Sequence, residues 1–273
     1  MQPARAIPVL MYHHVSPAPG LVTVAPETFR AQMAHLARTG WHTAGCDDLA
    51  AFLAGAPLPA RSFAITFDDG YLDNYVHAYP VLREFGLCAT IFIVTNWIGD
   101  GSSRAAAGDG VPTPPCPDHH ACKEAIASGA ADDVMLRWSE IERMRADGIC
   151  DFHSHTHSHR RWDREIADPV RRSHGLAEDL AQSRATLRTR LGVDSRHLCW
   201  PQGYFDDAYL ETARNAGFTH CYTTQKRVNR AGSDPLRVGR IVAKEASPQW
   251  LERRLSWFSS PLIGGLYARL RGD

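Results

Sequence analysis

The sequence predicts an α/β fold of parallel βαβ units in a single domain. Short apolar runs alternate with amphipathic helical patterns along the chain. No repeat period or flexible linker divides it, and 273 residues, 44% of them hydrophobic, suffice for one sizeable core.

The elements follow in order. "IPVLMY" reads as the first strand. "PETFRAQMAHLARTG" places Phe29, Met33 and Leu36 on one helical face, with Pro26 near the start and Gly40 at the stop. "SFAITF" is a strand that ends on the paired aspartates Asp68 and Asp69. "YPVLREFG" is a short helix closed by Gly86, and "CATIFIV" is a strong strand. "WSEIERMRADG" carries a capping-box pattern, Ser139 with Glu142, and a glycine stop at Gly148. "CDFHSH" resumes as a strand, and "LAEDLAQSRATLRTRLG" is the longest clear helix. "HLCWP", "HCYTT" and "LRVGRIV" supply the remaining strands, with a helix at "DDAYLETARNAG" between the first two. Residues 99–133, rich in Gly, Ala, Pro and Asp, interrupt the alternation. They lie between a strand and the next helix, where barrel enzymes place working loops.

Composition narrows the function. Lys plus Arg balance Asp plus Glu at 30 each, which argues against a nucleic-acid footprint spread over the surface. The apolar run at Ile7–Tyr12 is too short for a secretory signal, and no window reaches transmembrane length. Seven cysteines without a framework fit a reducing compartment. The expectation is a cytoplasmic protein, peripheral on the inner membrane face if it touches a membrane at all.

Two stretches carry chemistry. In "ITFDDGYLDNY" two adjacent carboxylates end a buried strand, where mutual repulsion would protonate one unless a cation holds it ionised. In "DFHSHTHSHRRW", His155 and His159 are four apart, so on a turn of helix both rings share a face. Two neutral imidazoles and one carboxylate can bind a zinc-like ion and leave positions open for water and substrate. The other aspartate is then free to take the water's proton. Alone, an Asp-Asp-Gly sequence is commonly a turn and a histidine tract is commonly adventitious. Both stretches follow predicted strands, however, and strand C-termini converge in a barrel.

"TFDDG" followed by "SHTHSH" resembles the polysaccharide deacetylases of carbohydrate esterase family 4, and the resemblance runs from about residue 7 to 245. It implies a distorted (β/α) barrel with about seven strands that removes N- or O-acetyl groups from glycans. It implies Asp69, His155 and His159 as ligands of one divalent metal ion (Zn2+, with Ni2+, Co2+ or Mn2+ as alternatives). Asp68 becomes the general base, and His153 and His157 fall at non-ligand positions. Tyr71, Trp200, Pro201, Gly203 and His14 are expected beside the substrate.

The chain departs from the family pattern twice. The third motif, R-x-P-x-G, appears as "CWPQG", with Cys199 where the base-orienting arginine belongs and no evident local replacement. The Gln202 backbone amide can still serve the oxyanion, since that role needs no particular side chain. The late strand "LRVGRIVAKEAS" lacks the histidine expected as general acid, and the first strand, "VLMYHHV", supplies His13 instead, with His14 second. The expected substrate is an N-acetylhexosamine in a bacterial envelope glycan or lipid-linked precursor, such as lipopolysaccharide or exopolysaccharide. The alternatives are an N-formyl sugar deformylase or a catalytically silent glycan-binding barrel. "CPDHHAC" offers Cys116, His119, His120 and Cys122 as ligand types for a second metal. Residues 248–273, basic and aromatic, read as a closing helix on the barrel or as a membrane-surface segment.

Overall fold

The computed structural model describes residues 2–271. Seven parallel strands form its central sheet: β1 (Val9–Tyr12), β2 (Ser62–Phe67), β3 (Ala89–Ile93), β4 (Cys150–Ser154), β5 (His197–Cys199), β6 (His220–Tyr222) and β7 (Ile241–Val242). Their spatial order is β7-β1-β2-β3-β4-β5-β6, so only the last strand leaves sequence order and returns beside the first. A short eighth strand, His42–Thr43, pairs with the start of β2. Between β6 and β7 no strand ladder forms among the described residues; the bridge Tyr222–Val238 and the Arg240 N–H to Gln225 O hydrogen bond join the segments beside them, which leaves a seam in the barrel. The distorted barrel expected from the sequence is the one found.

Strand alternation sorts side chains between the barrel interior and the helical layer. On β2, Ile65 and Phe67 join the large core that also holds Phe29, Met33 and Leu36 of the helix Pro26–Arg38. Each of these three helix residues is fully enclosed, worth about 1.5–3 kcal/mol apiece. Ala64, on the opposite face of β2, packs inside the barrel with Val9, Phe92, Cys199 and Tyr222.

One local expectation is corrected. The helix Trp138–Ala146 is capped from Arg137, whose N–H donates to Glu140 Oε2, and Ser139 Oγ instead donates to Gly101 O. Glu140 is fully buried and also receives Arg104, so the ion pair to the inserted segment decides where this helix begins. The segment 99–133 is itself ordered around that arginine, which also donates to the carbonyls of Asp132 and Met135, and it contains the helix His119–Ala127.

The C-terminal stretch forms two helices. Leu251, Leu255 and Phe258 of the first, Pro248–Phe258, pack into the main core. Arg254 stacks over Trp250, Trp257 and Tyr267. Leu262, Leu266 and Leu270 of the second helix, Pro261–Arg271, stay exposed. Among the described residues no helix is long and apolar enough to cross a membrane.

Candidate active site

Register brings the first chemistry together. β1 pairs with β2 so that Tyr12 lies opposite Phe67, and the Asp68 N–H donates to Tyr12 O at 3.0 Å. The next residue along each strand is His13 on one and Asp68 on the other. His13 Nε2 lies 3.8 Å from Asp68 Oδ2.

Alternation would turn Asp69 away from Asp68, since consecutive strand residues face opposite ways. Asp69 instead adopts φ +72, in the left-handed region that non-glycine residues enter at a cost. That turn delivers both carboxylates to one cavity. Gly70 continues it at φ +85, where a Cβ would sit 2.8 Å from the Ile93 side chain.

The histidines arrive differently from the expected helical turn. Residues 155–161 form an irregular loop with Thr156 at φ +67 and His159 at φ +57. Thr156 Oγ1 accepts the His159 N–H and Ser154 Oγ accepts the Thr156 N–H, which holds the loop. His155 Nε2 and His159 Nε2 each lie 3.3 Å from Asp69 Oδ1.

These three residues fit a divalent cation. Asp69 Oδ1 is buried and has no hydrogen-bond donor among the described residues. Such an atom is costly unless something compensates it. His155 Nδ1 lies 2.8 Å from Cys199 O and must donate to that carbonyl, which leaves Nε2 as the ring atom facing Asp69, able to ligate once it gives up its proton. Burial pushes the His159 pKa down to about 4, which keeps that ring neutral and able to ligate. A second trio, Asp68, His155 and Cys199, is as closely spaced. It is the poorer cation site because both Asp68 oxygens are already taken by a guanidinium.

That guanidinium belongs to Arg240, just before β7. Nη1 donates to Asp68 Oδ1 at 2.6 Å and Nη2 to Oδ2 at 2.8 Å. Burial would raise the Asp68 carboxyl. The charges of Arg240 and His155 and the Arg240 hydrogen bonds hold it below the ordinary carboxylate range. The missing arginine has no local replacement, but a distant one supplies the contact. Arg240 reaches the site from another strand, and Cys199 leaves it room, with Sγ 3.0 Å from Nη2. The sequence signal was an arginine inside an apolar run, "RVGRIV", where a barrel interior has few uses for a charge.

The cavity is lined by His13, Asp68, Asp69, Tyr71, His155 and His159, and on its other sides by Gln202, Gly203, Trp97 and His119. Gln202 has φ +55, and Gly203 at φ +70 leaves no space for a Cβ beside Thr224. Burial is the main force that lowers the His13 pKa, against the attraction of Asp68 and Asp69. Trp97, whose ring centroid is 5.1 Å from that of His159, gave no sequence signal beyond following β3.

Three expected substrate contacts lie elsewhere. Trp200 and Pro201 are buried behind the cavity wall, Trp200 against Tyr209. His14 is fully enclosed, bonded to Asp73 and stacked on Tyr71. His153 packs against Phe92 and His197, while His157 Nδ1 meets Thr95 Oγ1 at 2.9 Å. The second-metal cluster does not assemble. Cys116 and Cys122 turn to the carbonyls of Pro114 and Pro117, His120 points outward to Glu124, and His119 faces the cavity.

Comparison with known proteins agrees with this geometry. A family model described as polysaccharide deacetylase matches residues 55–221. A Bacillus subtilis protein named as a polysaccharide deacetylase, YxkH, is 26% identical over 82% of this chain. A Staphylococcus epidermidis poly-beta-1,6-N-acetyl-D-glucosamine N-deacetylase is 25% identical over 67%. The chain spans 66% and 55% of the lengths of those two relatives. The solved structure of IcaB from Ammonifex degensii superposes with a TM-score of 0.72 at 26% identity, covering 94% of this chain and 99% of that one. The family match includes Asp68, Asp69, His155, His159 and Gln202; His13 precedes it and Arg240 follows it.

Proposed function

Because the chain belongs to the polysaccharide deacetylase family, whose members hydrolyse the amide bonds of N-acetyl sugars, we propose that it is a metal-dependent N-deacetylase of an N-acetylglucosamine-type glycan. One observation carries the reading. A buried carboxylate held ionised by a bidentate arginine adjoins a second carboxylate with an unpartnered oxygen facing two imidazoles. A binding module has no use for the first of these, so the silent-barrel alternative is disfavoured.

Asp69, His155 and His159 would hold the divalent ion, which when bound polarises an amide carbonyl and lowers the pKa of a water. Asp68 accepts the proton of the attacking water, its lone pairs aimed by Arg240. The Gln202 N–H serves the developing oxyanion. His13, across the cavity from Asp68, gives a proton to the departing nitrogen, because an amine leaves a tetrahedral centre only once protonated.

The names of the relatives favour an exopolysaccharide of β-1,6-linked N-acetylglucosamine over a lipopolysaccharide precursor. The test is to incubate the zinc-loaded protein with a β-1,6-N-acetylglucosamine oligosaccharide and identify products by mass spectrometry. Loss of one acetyl mass with a new free amine supports the reading. Unchanged oligosaccharide, with or without metal, rejects this substrate class.

A further inference from the structure

A line of hydrogen bonds runs to the cavity from a direction that the deacetylation chemistry does not use. Asp73 Oδ1 accepts the Val15 N–H at 3.1 Å and the Asn74 Nδ2–H at 2.8 Å. Its Oδ2 lies 2.5 Å from His14 Nδ1, and His14 Nε2 lies 3.1 Å from His119 Nδ1. Asp73 and His14 are wholly enclosed, while His119 lines the cavity wall.

His14 Nδ1 faces Asp73, and one proton lies between His14 Nε2 and His119 Nδ1, which fixes the orientation of both rings. His119 Nε2 is left without a hydrogen-bond partner among the described residues. The stack of Tyr71 on His14, with centroids 3.8 Å apart, fixes the middle ring.

We propose that the inserted segment 99–133 adds a sugar-hydroxyl subsite to the cavity, in which His119 Nε2 makes a hydrogen bond with a hydroxyl of the N-acetylated glycan. Lys123, one turn along the same helix, lines the same wall and supplies a second polar contact. The line ends at the cavity wall. Burial and the neighbouring His14 hold the His119 pKa down at about 4, so the ring is neutral at neutral pH. His119 is thus a positioning residue for the substrate, with its ring held by Asp73 through His14.

The inference rests on the deacetylase reading, and a binding measurement separates the two. The Asp68→Asn protein, loaded with zinc, is titrated calorimetrically with a β-1,6-N-acetylglucosamine oligosaccharide. His119→Ala and His119→Asn in that background should each raise Kd about tenfold, the size of one hydrogen bond. Asn can still hydrogen-bond His14 but does not reach the Nε2 position. His119→Gln, whose carboxamide does reach it, should return Kd to within about threefold of its parent. Bound zinc and melting temperature should match across the set. An unchanged Kd in His119→Ala, a Gln variant as weak as the Asn variant, or no binding by the parent overturns the subsite. Acetate release by the unsubstituted protein is scored separately: turnover with an unchanged Kd rejects the subsite alone, and a shifted Kd without turnover rejects the deacetylase reading alone.

Discussion

Arg240 grips both oxygens of Asp68 inside the barrel, at 2.6 and 2.8 Å, although 172 residues separate them in the chain. β7 lies beside β1 and β1 beside β2, so the last strand delivers the charge that the first turn of chemistry requires. Two further acceptors, Thr223 O and Thr66 Oγ1, hold the guanidinium in place.

Arg240→Gln should therefore reduce kcat by about a hundredfold or more, because Asp68 loses both its orientation and the charge that keeps it ionised. Stability should fall by about 3–5 kcal/mol, the cost of leaving one member of a buried pair uncompensated. Arg240→Lys should keep part of the stability but little of the activity, since an ammonium cannot bridge two carboxylate oxygens. Urea unfolding and steady-state kinetics on the same samples check this. Full activity in Arg240→Lys would remove the orienting role.

His13→Ala should cripple cleavage of an N-acetyl sugar while largely sparing an aryl acetate, whose phenolate leaves unaided. Comparison of kcat/KM on the two substrates, with bound metal measured alongside, is the check. Equal losses on both would point to a folding or metal defect. His14→Ala should not show this selectivity, since His14 is enclosed and bonded to Asp73.

The metal should vanish with its ligands. His155→Ala and His159→Ala should each lower bound zinc from about one per chain to a small fraction and abolish turnover, consistent with a three-ligand open site. Cys116→Ser and Cys122→Ser should leave the metal content alone, because both thiols face carbonyls of their own loop. Elemental analysis of purified variants decides. Unchanged zinc in a His155→Ala, His159→Ala double variant would refute the site.

Much of this was legible in the sequence because it depends on local pattern. The strands, the paired carboxylates and the four-residue histidine spacing all lie within short windows. The geometry behind the spacing was not legible: a loop with two left-handed residues, not a helix, turns His155 and His159 toward Asp69. Arg240 and His119 were missed as site residues for a different reason. Each reaches the cavity only through tertiary pairing, one by the return of the last strand and the other by a segment folded around the Arg104–Glu140 ion pair. Trp200 and His14 sit next to motif residues in sequence but face the opposite way, as strand alternation dictates.

Acid should weaken the fold at the end of the barrel away from the cavity. His197 and His220 stack there, with ring centroids 5.0 Å apart. Burial is the main force that lowers both pKa values, that of His220 to about 4. The unfolded chain, with histidines near 6.5, then binds more protons than the folded one below that pH. Their contribution is complete above about pH 6.5 and is lost as pH falls toward 4. The urea midpoint should drop over that range, and His220→Asn should flatten the slope. An identical slope in the variant would rule out His220 as a contributor.

Acetate release as zinc is returned to chelator-treated protein tests the central claim most directly, with a β-1,6-N-acetylglucosamine oligosaccharide as substrate. Activity should be absent without metal, rise in proportion to added zinc and level off at about one equivalent per chain. Asp68→Asn should bind the same equivalent yet level off at least about a hundredfold lower. Full activity in the chelated protein, or an Asp68→Asn plateau equal to that of the unsubstituted protein, would contradict the account.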